Sequence, residues 1–384
     1  MGCYLCAPMR IAVNTRFGWL ERLEGYGYFT EQVFLRLAEQ HSEHAFLFIF
    51  DRPVDPVLSW PSNVKICVVG PPARHPLLWR LWYNWRIPGV LSRFKADVFV
   101  SPDGIASLCT RVPQCLVVHD LAFLHDRDWF SASIRRYYRV HLPKFLKTVK
   151  TIATVSEKSR AELIDRYQIA PDRIDVVYSA AKSAFRILSE QERADIKLRF
   201  TEGKEYFLYT GAIHPRKNLI GLLKAFSLFK KRQQNGFKLV LAGRMAWQSG
   251  RFEALLSTYK YRNDVVLTGY VDLETLVGLT GSAYALVYPS FYEGFGVPVL
   301  ESMQAGVPVI TSSDTSMEEI AGSAALYADP KDPASIAEQM NRLYIDEALR
   351  RRQIEAGKPV AARFQWSTTA ERVWDCMLKA AHSN

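Results

Sequence analysis

Cysteine is scarce, with six in 384 residues, and Cys3 and Cys6 form a lone C-x-x-C without a second pair or a histidine at metal-ligand spacing. This argues against a disulfide framework or a zinc module, and the thiols read as reduced cysteines of a cytoplasmic protein. Long apolar runs are missing as well. The longest, residues 45–50, ends at Asp51 and Arg52, far short of the ~18 residues that cross a bilayer. The opening MGCYLCAPMR is too short and too weakly cationic for a secretory signal. Residues 1–8 precede the first strand-like string, RIAVN, and read equally as an upstream extension or as the genuine start. There is no tandem repeat and no low-complexity tract, which excludes a solenoid.

What is present is ordinary globular material, 48% hydrophobic and 23% charged, in a length that suits two domains. The net charge of +10 favours anionic partners such as phosphates, nucleotides or acidic lipid headgroups. No nucleic-acid reader motif accompanies it, so nucleic acid is not expected as a partner. Short β-branched or aromatic strings fall at 11–14, 46–50, 65–69, 98–100, 115–118, 151–155 and 175–177, with helical patterns between most of them. After a polar stretch around 180–204, read as a linker, the rhythm restarts with strings at 207–209, 238–241, 265–267, 285–288 and 308–311. This alternation predicts α/β architecture, two doubly wound parallel sheets facing a cleft. The expected boundaries are an N-terminal domain over 1–185, a second over 186–362 and a closing helix over 363–384 that crosses back to the first. Thr30 is expected to cap a helix whose Val33, Phe34, Leu37 and Ala38 share one face.

Ligands of such sheets bind beyond the carboxyl ends of the strands, which directs attention to YALVYPSFYEGFGVPVLESMQAGVPVITS, residues 284–312. Pro298 suits a first helical turn and Gly306 a helix end, so a helix is expected over 297–305. Gly294, Phe295, Gly296 and Val297 lead into it, where missing Cβ atoms let amides approach an anion. Glu293 and Glu301 flank this turn and are expected to face one pocket as acceptors for sugar hydroxyls; a solvated Glu301 on a plain turn is the alternative. In FLYTGAIHPRKNLIGLLKAF, Gly211, Arg216 and Lys217 follow a strand and precede an Asn218 cap. The two cations read either as surface charges or as a pair that neutralises a leaving diphosphate. In CLVVHDLAF, His119 and Asp120 end a strand, and a single such histidine is commonly structural. Gly25 and Gly27, in the loop after the first strand, make only a G-x-G without the full dinucleotide fingerprint. Trp79, Trp82, Tyr83 and Trp85 interleave with Arg80 and Arg86, a pattern that fits a core-packing helix before a membrane-interface or glycan-gripping one.

Residues 289–309 resemble the PSxxEGFGxPxxEAMAxGxPV motif of the retaining GT-B glycosyltransferases of glycosyltransferase family 4, with Ser302 in place of one alanine. The resemblance extends over nearly the whole chain, and its HDL, PRKNL and EGFGVPVLE strings are similar to those of bacterial mannosyltransferases of surface-polysaccharide assembly. It implies a nucleotide-diphosphate sugar donor, GDP-mannose first, and a glycan or lipid-linked acceptor. It also implies retention of configuration and no metal, in keeping with the lack of a clear DxD-like carboxylate pair. By that resemblance Arg216 and Lys217 hold donor phosphates, Glu293 the donor sugar, Glu301 the ribose, and His119 lies beside sugar and acceptor, while the loop with Gly25 and Gly27 closes on the diphosphate. One string departs: where the family has G-[VT]-D-x-x-F, this chain has SAAKSAF at 179–185. Peripheral contact with the inner membrane face is expected if the acceptor is lipid-linked. A nucleotide-sugar epimerase on the same fold and a catalytically silent scaffold are the alternatives; a dehydrogenase is disfavoured by the missing third glycine.

Overall fold

The strand-like strings become two all-parallel sheets in a computed structural model that describes residues 7–19, 25–55, 57–245 and 250–383. Cys3, Cys6 and most of the 1–8 segment lie outside the described residues. The first unit runs β1 (Arg10–Asn14), α1 (Gly25–Gln40), β2 (Ala45–Phe50), β3 (Val64–Val68), α2 (Pro76–Leu81), a π turn (Trp82–Arg86), α3 (Ile87–Phe94), β4 (Val98–Ser101) and β5 (Gln114–Val118). It continues with α4 (Ala132–Thr148), β6 (Thr151–Thr154), α5 (Glu157–Tyr167) and β7 (Ile174–Val176). Its sheet order is β3-β2-β1-β4-β5-β6-β7. Strands buried on both faces need continuous apolar sequence, and β2, β4 and β5 are buried almost throughout, whereas edge strand β3 carries exposed positions.

The second unit holds α6 (Glu190–Thr201), β8 (Tyr206–Thr210), α7 (Leu219–Gln233), β9 (Lys238–Ala242), α8 (Gly250–Ser257), β10 (Val265–Gly269) and α9 (Leu273–Gly281). Then follow β11 (Ala285–Tyr288), α10 (Val297–Gln304), β12 (Val309–Ser312), α11 (Ser316–Ala321), β13 (Ala325–Ala328), α12 (Pro333–Ile345) and α13 (Glu347–Arg363). Its order, β10-β9-β8-β11-β12-β13, repeats the first pattern. The sequence reading lacks β13, whose ALYA carries no β-branched residue.

The polar stretch read as a linker is folded. Ser189 and Glu192 form a reciprocal capping box that starts α6, and the helix is charged because most of it faces solvent. The compact units are 1–179 with 366–384, and 180–365. The first seam lies before 185 because Phe185 and Leu188 are buried against Val277 of the second unit. The last lies after 362 because α13 runs to Arg363 and Phe364 meets Phe295 edge-on at 5.7 Å. The final helix, α14 (Trp366–His382), packs within the first unit: Trp374 stacks on His41 at 3.6 Å, and Thr151 Oγ1 donates to the Cys376 carbonyl at 2.8 Å.

Candidate active site

In each sheet the strand order reverses once, between β1 and β4 and between β8 and β11, and the loops after these strands diverge. In the second unit β8 leads into Gly211, with φ +127°. A Cβ on Gly243, just past β9, would lie 1.9 Å from the Gly211 carbonyl oxygen, so only glycine lets the two loops approach. Residues Pro215–Lys217 make a single 3-10 turn, with His214 Nδ1 accepting from the Arg216 amide. Asn218 then caps α7 by accepting from the Gly221 amide at 3.2 Å, while its Nδ2 donates to the Pro289 carbonyl at 3.1 Å. With the Phe291 amide donating to the Arg216 carbonyl at 2.9 Å, the loop after β8 is bound to the loop after β11.

This scaffold brings together three charges that are far apart in sequence. Lys217 Nζ lies 2.5 Å from Glu293 Oε1 and 2.6 Å from the Tyr288 hydroxyl, and Arg216 lies 3.0 Å from Glu293 Oε2. Arg216 also donates to the Tyr292 carbonyl at 2.8 Å. Burial pushes the Glu293 carboxyl up, but Arg216 and Lys217 outweigh it and hold it at about 2. Glu293 is therefore ionised at neutral pH, and the trio keeps one net positive charge in a mostly buried setting.

Gly296 opens α10 in the left-handed region, φ +99°, and a Cβ there would meet Met317 Cγ at 2.7 Å. Ser316 Oγ fixes the turn by donating to the Glu293 carbonyl at 2.7 Å. Phe295 is buried, so its side chain is a packing residue, whereas Val297 stays half-buried. The helix ends as expected, with Gly306 at φ +70°.

Glu301 does not share the cations of Glu293: it is buried and paired with Lys182 Nζ at 2.8 Å. Gln304 Nε2 holds the Lys182 segment by donating to the carbonyls of Lys182 (3.2 Å) and Phe185 (2.7 Å). Lys182 is the residue that sequence reasoning missed. Its signal was the departure at SAAKSAF, where a cation stands in the family's acidic position.

In the first unit His119 follows β5, and its Nε2–H donates to the Pro102 carbonyl at 2.9 Å, leaving Nδ1 as the acceptor nitrogen. Burial is the main force lowering its pKa to about 4, against the Pro102 carbonyl and Asp120. The ring lies between Tyr26 and Phe29, at 4.6 and 4.9 Å. It lines a cavity of about 220 Å³ together with Tyr26, Trp79, Asp103, Asp120 and Tyr138. Gly25 and Gly27 lie in the first turn of α1 rather than in a loop ahead of it. Thr30, expected as a cap, sits inside that helix and donates to the Tyr26 carbonyl at 2.7 Å.

The β1/β4 switch point holds a network that the motifs did not announce. Arg16 Nε lies 2.5 Å from Asp103, the Tyr83 hydroxyl donates to Asp103 at 2.7 Å, and Asn14 Nδ2 donates to Tyr83 at 2.6 Å. Burial opposes the Arg16 charge, yet Asp103 outweighs it and raises the arginine's pKa. Among the described residues, His41, Glu43 and His44 lie close enough to share an ion. His44 Nδ1 already accepts from the Met9 amide at 2.9 Å, however, which suits a tie between the α1–β2 turn and β1 better than a metal site.

With this geometry in place, the crystal structure of WaaG, a glycosyltransferase involved in lipopolysaccharide biosynthesis, superposes with a TM-score of 0.77 at 16% identity, covering 96% of this chain and 99% of that one. The fold is thus that of the GT-B class, two Rossmann-like domains in one chain. Residues 190–360 match the glycosyl transferases group 1 family and residues 29–181 match Glycosyltransferase Family 4. The O-antigen chain mannosyltransferase B of Escherichia coli is 32% identical over 298 residues, 76% of this chain and 78% of that protein. The serotype-specific mannosyltransferase WbdA of Escherichia coli is 29% identical over 260 residues, 66% of this chain but only 32% of that longer protein. The chain belongs to glycosyltransferase family 4 and is a glycosyltransferase.

Proposed function

We propose that the enzyme transfers a hexose, mannose first, from GDP-mannose to a glycan or lipid-linked acceptor in surface-polysaccharide assembly. The reading includes retention of anomeric configuration, no requirement for metal, and a cytoplasmic location with peripheral contact at the inner membrane face. The observation that carries it is the Arg216–Glu293–Lys217 cluster across the β8/β11 switch point. Its net positive charge suits a diphosphate, whose negative charge grows as the bond from the sugar C1 to the phosphate oxygen breaks. The second unit is then the nucleotide-sugar side, with Gly211, Gly294 and Gly296 letting backbone approach the phosphates, Glu293 on the sugar and Glu301 on the ribose hydroxyls. The first unit, completed by α14, is the acceptor side, with His119 Nδ1 as a hydrogen-bond acceptor in an aromatic cavity of about the size of one sugar ring. The acceptor hydroxyl attacks C1 from the face the diphosphate leaves, and its proton passes to the departing phosphate oxygen.

Relatives described as mannosyltransferases support mannose. The test is a thermal-shift panel of GDP, UDP, dTDP and ADP with their sugars, followed by NMR of the product's anomeric configuration in the presence of EDTA. Stabilisation by GDP that is lost in Lys217→Ala, with retention under EDTA, supports the reading. No response to any nucleotide overturns it.

A further inference from the structure

The helical stretch over α2, the π turn and α3 has two faces, and only one is explained by the core. Trp79, Trp82 and Tyr83 are buried. On the outside Leu77 is 69% exposed, Leu81 39% and Trp85 77%. Single exposed apolar residues are unremarkable, but these three recur every fourth residue. In an uninterrupted α-helix Trp85 would sit about 80° around from Leu77. The wider π turn at Trp82–Arg86 rotates each residue less, and so brings Trp85 back into line with Leu77 and Leu81.

The surroundings of this row carry charge of one sign. Arg80, Arg86 and Arg93 are exposed along it, and residues 76–94 contain no Asp or Glu. Helix α4 adjoins α2 through Trp79, whose ring meets Tyr137 at 5.0 Å. It adds Arg135, Arg136, Arg139, Lys144 and Lys147, again with no acidic residue between 132 and 148. A Leu-Leu-Trp row with a purely cationic rim has the composition of a helix that lies in a bilayer interface. No helix among the described residues is long and apolar enough to cross a membrane, so contact of this kind would be made by lying on the surface.

We propose that this face of α2, the π turn and α3, with the basic side of α4, docks the enzyme on an anionic lipid membrane. The proposal rests on the lipid-linked acceptor reading and names the surface that makes the contact. Leu77, Leu81 and Trp85 enter the headgroup region while the arginines pair with lipid phosphates, which also explains why the cations flank the row instead of interrupting it.

The experiment is flotation of the full chain with extruded phosphatidylcholine vesicles, with and without about 30 mol % phosphatidylglycerol, at about 0.05 and 0.5 M salt. Binding to the anionic vesicles at low salt, at least ~10-fold weaker at high salt, is expected. Two variants are compared, Leu77→Ser/Leu81→Ser/Trp85→Ser and Arg80→Glu/Arg86→Glu, each checked to melt within about 2 °C of wild type. Each should lose ~10-fold or more of the partitioning while keeping the wild-type thermal response to GDP. Absence of wild-type binding, or unchanged binding in both variants, overturns the proposal. So does self-association of the chain through these same residues in sedimentation velocity without vesicle binding. A missing GDP response in all three proteins counts against the proposed function and leaves the vesicle result intact.

Discussion

The two switch points are built to one topology and differ in what covers them. At β1/β4 the Arg16–Asp103 pair is sealed under Tyr83, with both side chains almost fully buried at 2% and 3% exposure. At β8/β11 the Arg216–Glu293–Lys217 cluster keeps its cations partly open, 18% and 12% exposed. The difference follows from a helix. The π turn supplies Tyr83 to the first crevice, whereas the second crevice is bordered by the Gly294–Gly296 turn, which has little side chain to fill it. A buried pair with every oxygen hydrogen-bonded holds backbone in place, and a partly open excess of positive charge can still receive an anion. The same strand order thus seals the ion pair of one unit and leaves the excess positive charge of the other open to an anion.

The largest effect should come from breaking the sealed pair. Asp103→Asn leaves the Arg16 charge buried without its counterion, a loss of about 3–5 kcal/mol, read as a lowered melting temperature with GDP affinity of the second unit retained in calorimetric titration. Breaking the open cluster should do the reverse. Lys217→Ala should lower kcat/KM by ~10²–10³ and abolish the GDP thermal shift, with far less change in melting of the free enzyme.

Acidity should separate the units as well. Glu293 is held at about 2, below its ordinary 4.5, so its contribution is complete above pH 4.5 and lost only as pH falls toward 2. His119 is held at about 4, below 6.5, so the stability of its neutral form is complete above pH 6.5 and lost as pH falls toward 4. Between pH 6.5 and 5 the first unit should therefore lose on the order of 1–2 kcal/mol through His119, whereas the Glu293 contribution to the second stays complete. Melting curves in this range test it, and His119→Gln should reduce the dependence, leaving the part due to His44, which burial also lowers.

The smallest effect concerns Lys182. Lys182→Ala leaves Glu301 buried without its cation and should weaken GDP binding about tenfold, or ~1.4 kcal/mol, with Lys182→Arg restoring part of it. Unchanged affinity in titration would separate Glu301 from the nucleotide.

Most of both sheets was legible because strands buried on both faces leave apolar strings, such as AFLFIF in β2, that no exposed segment needs. The α10 turn was legible for a similar reason: Gly296 and Gly306 occupy positive-φ positions where other residues are strained. The start of α1 was misread because Thr30 looks like a cap from its neighbours, although it is satisfied one turn back by the Tyr26 carbonyl. The charged segment of α6 looked like a linker because its one helical face buries little.

Local chemistry, carried by residues adjacent in the chain, decided where most strands and the glycine turns around α10 lie, because backbone conformation responds to near neighbours. The partnerships of the charges were decided by the tertiary fold alone. Glu293 takes Arg216 and Lys217 from 77 and 76 residues away, and Glu301 takes Lys182 from 119 away. Only the pairing of β8 with β11 and the docking of the 182–185 segment bring such groups within reach, and Coulomb energy depends on that distance in space.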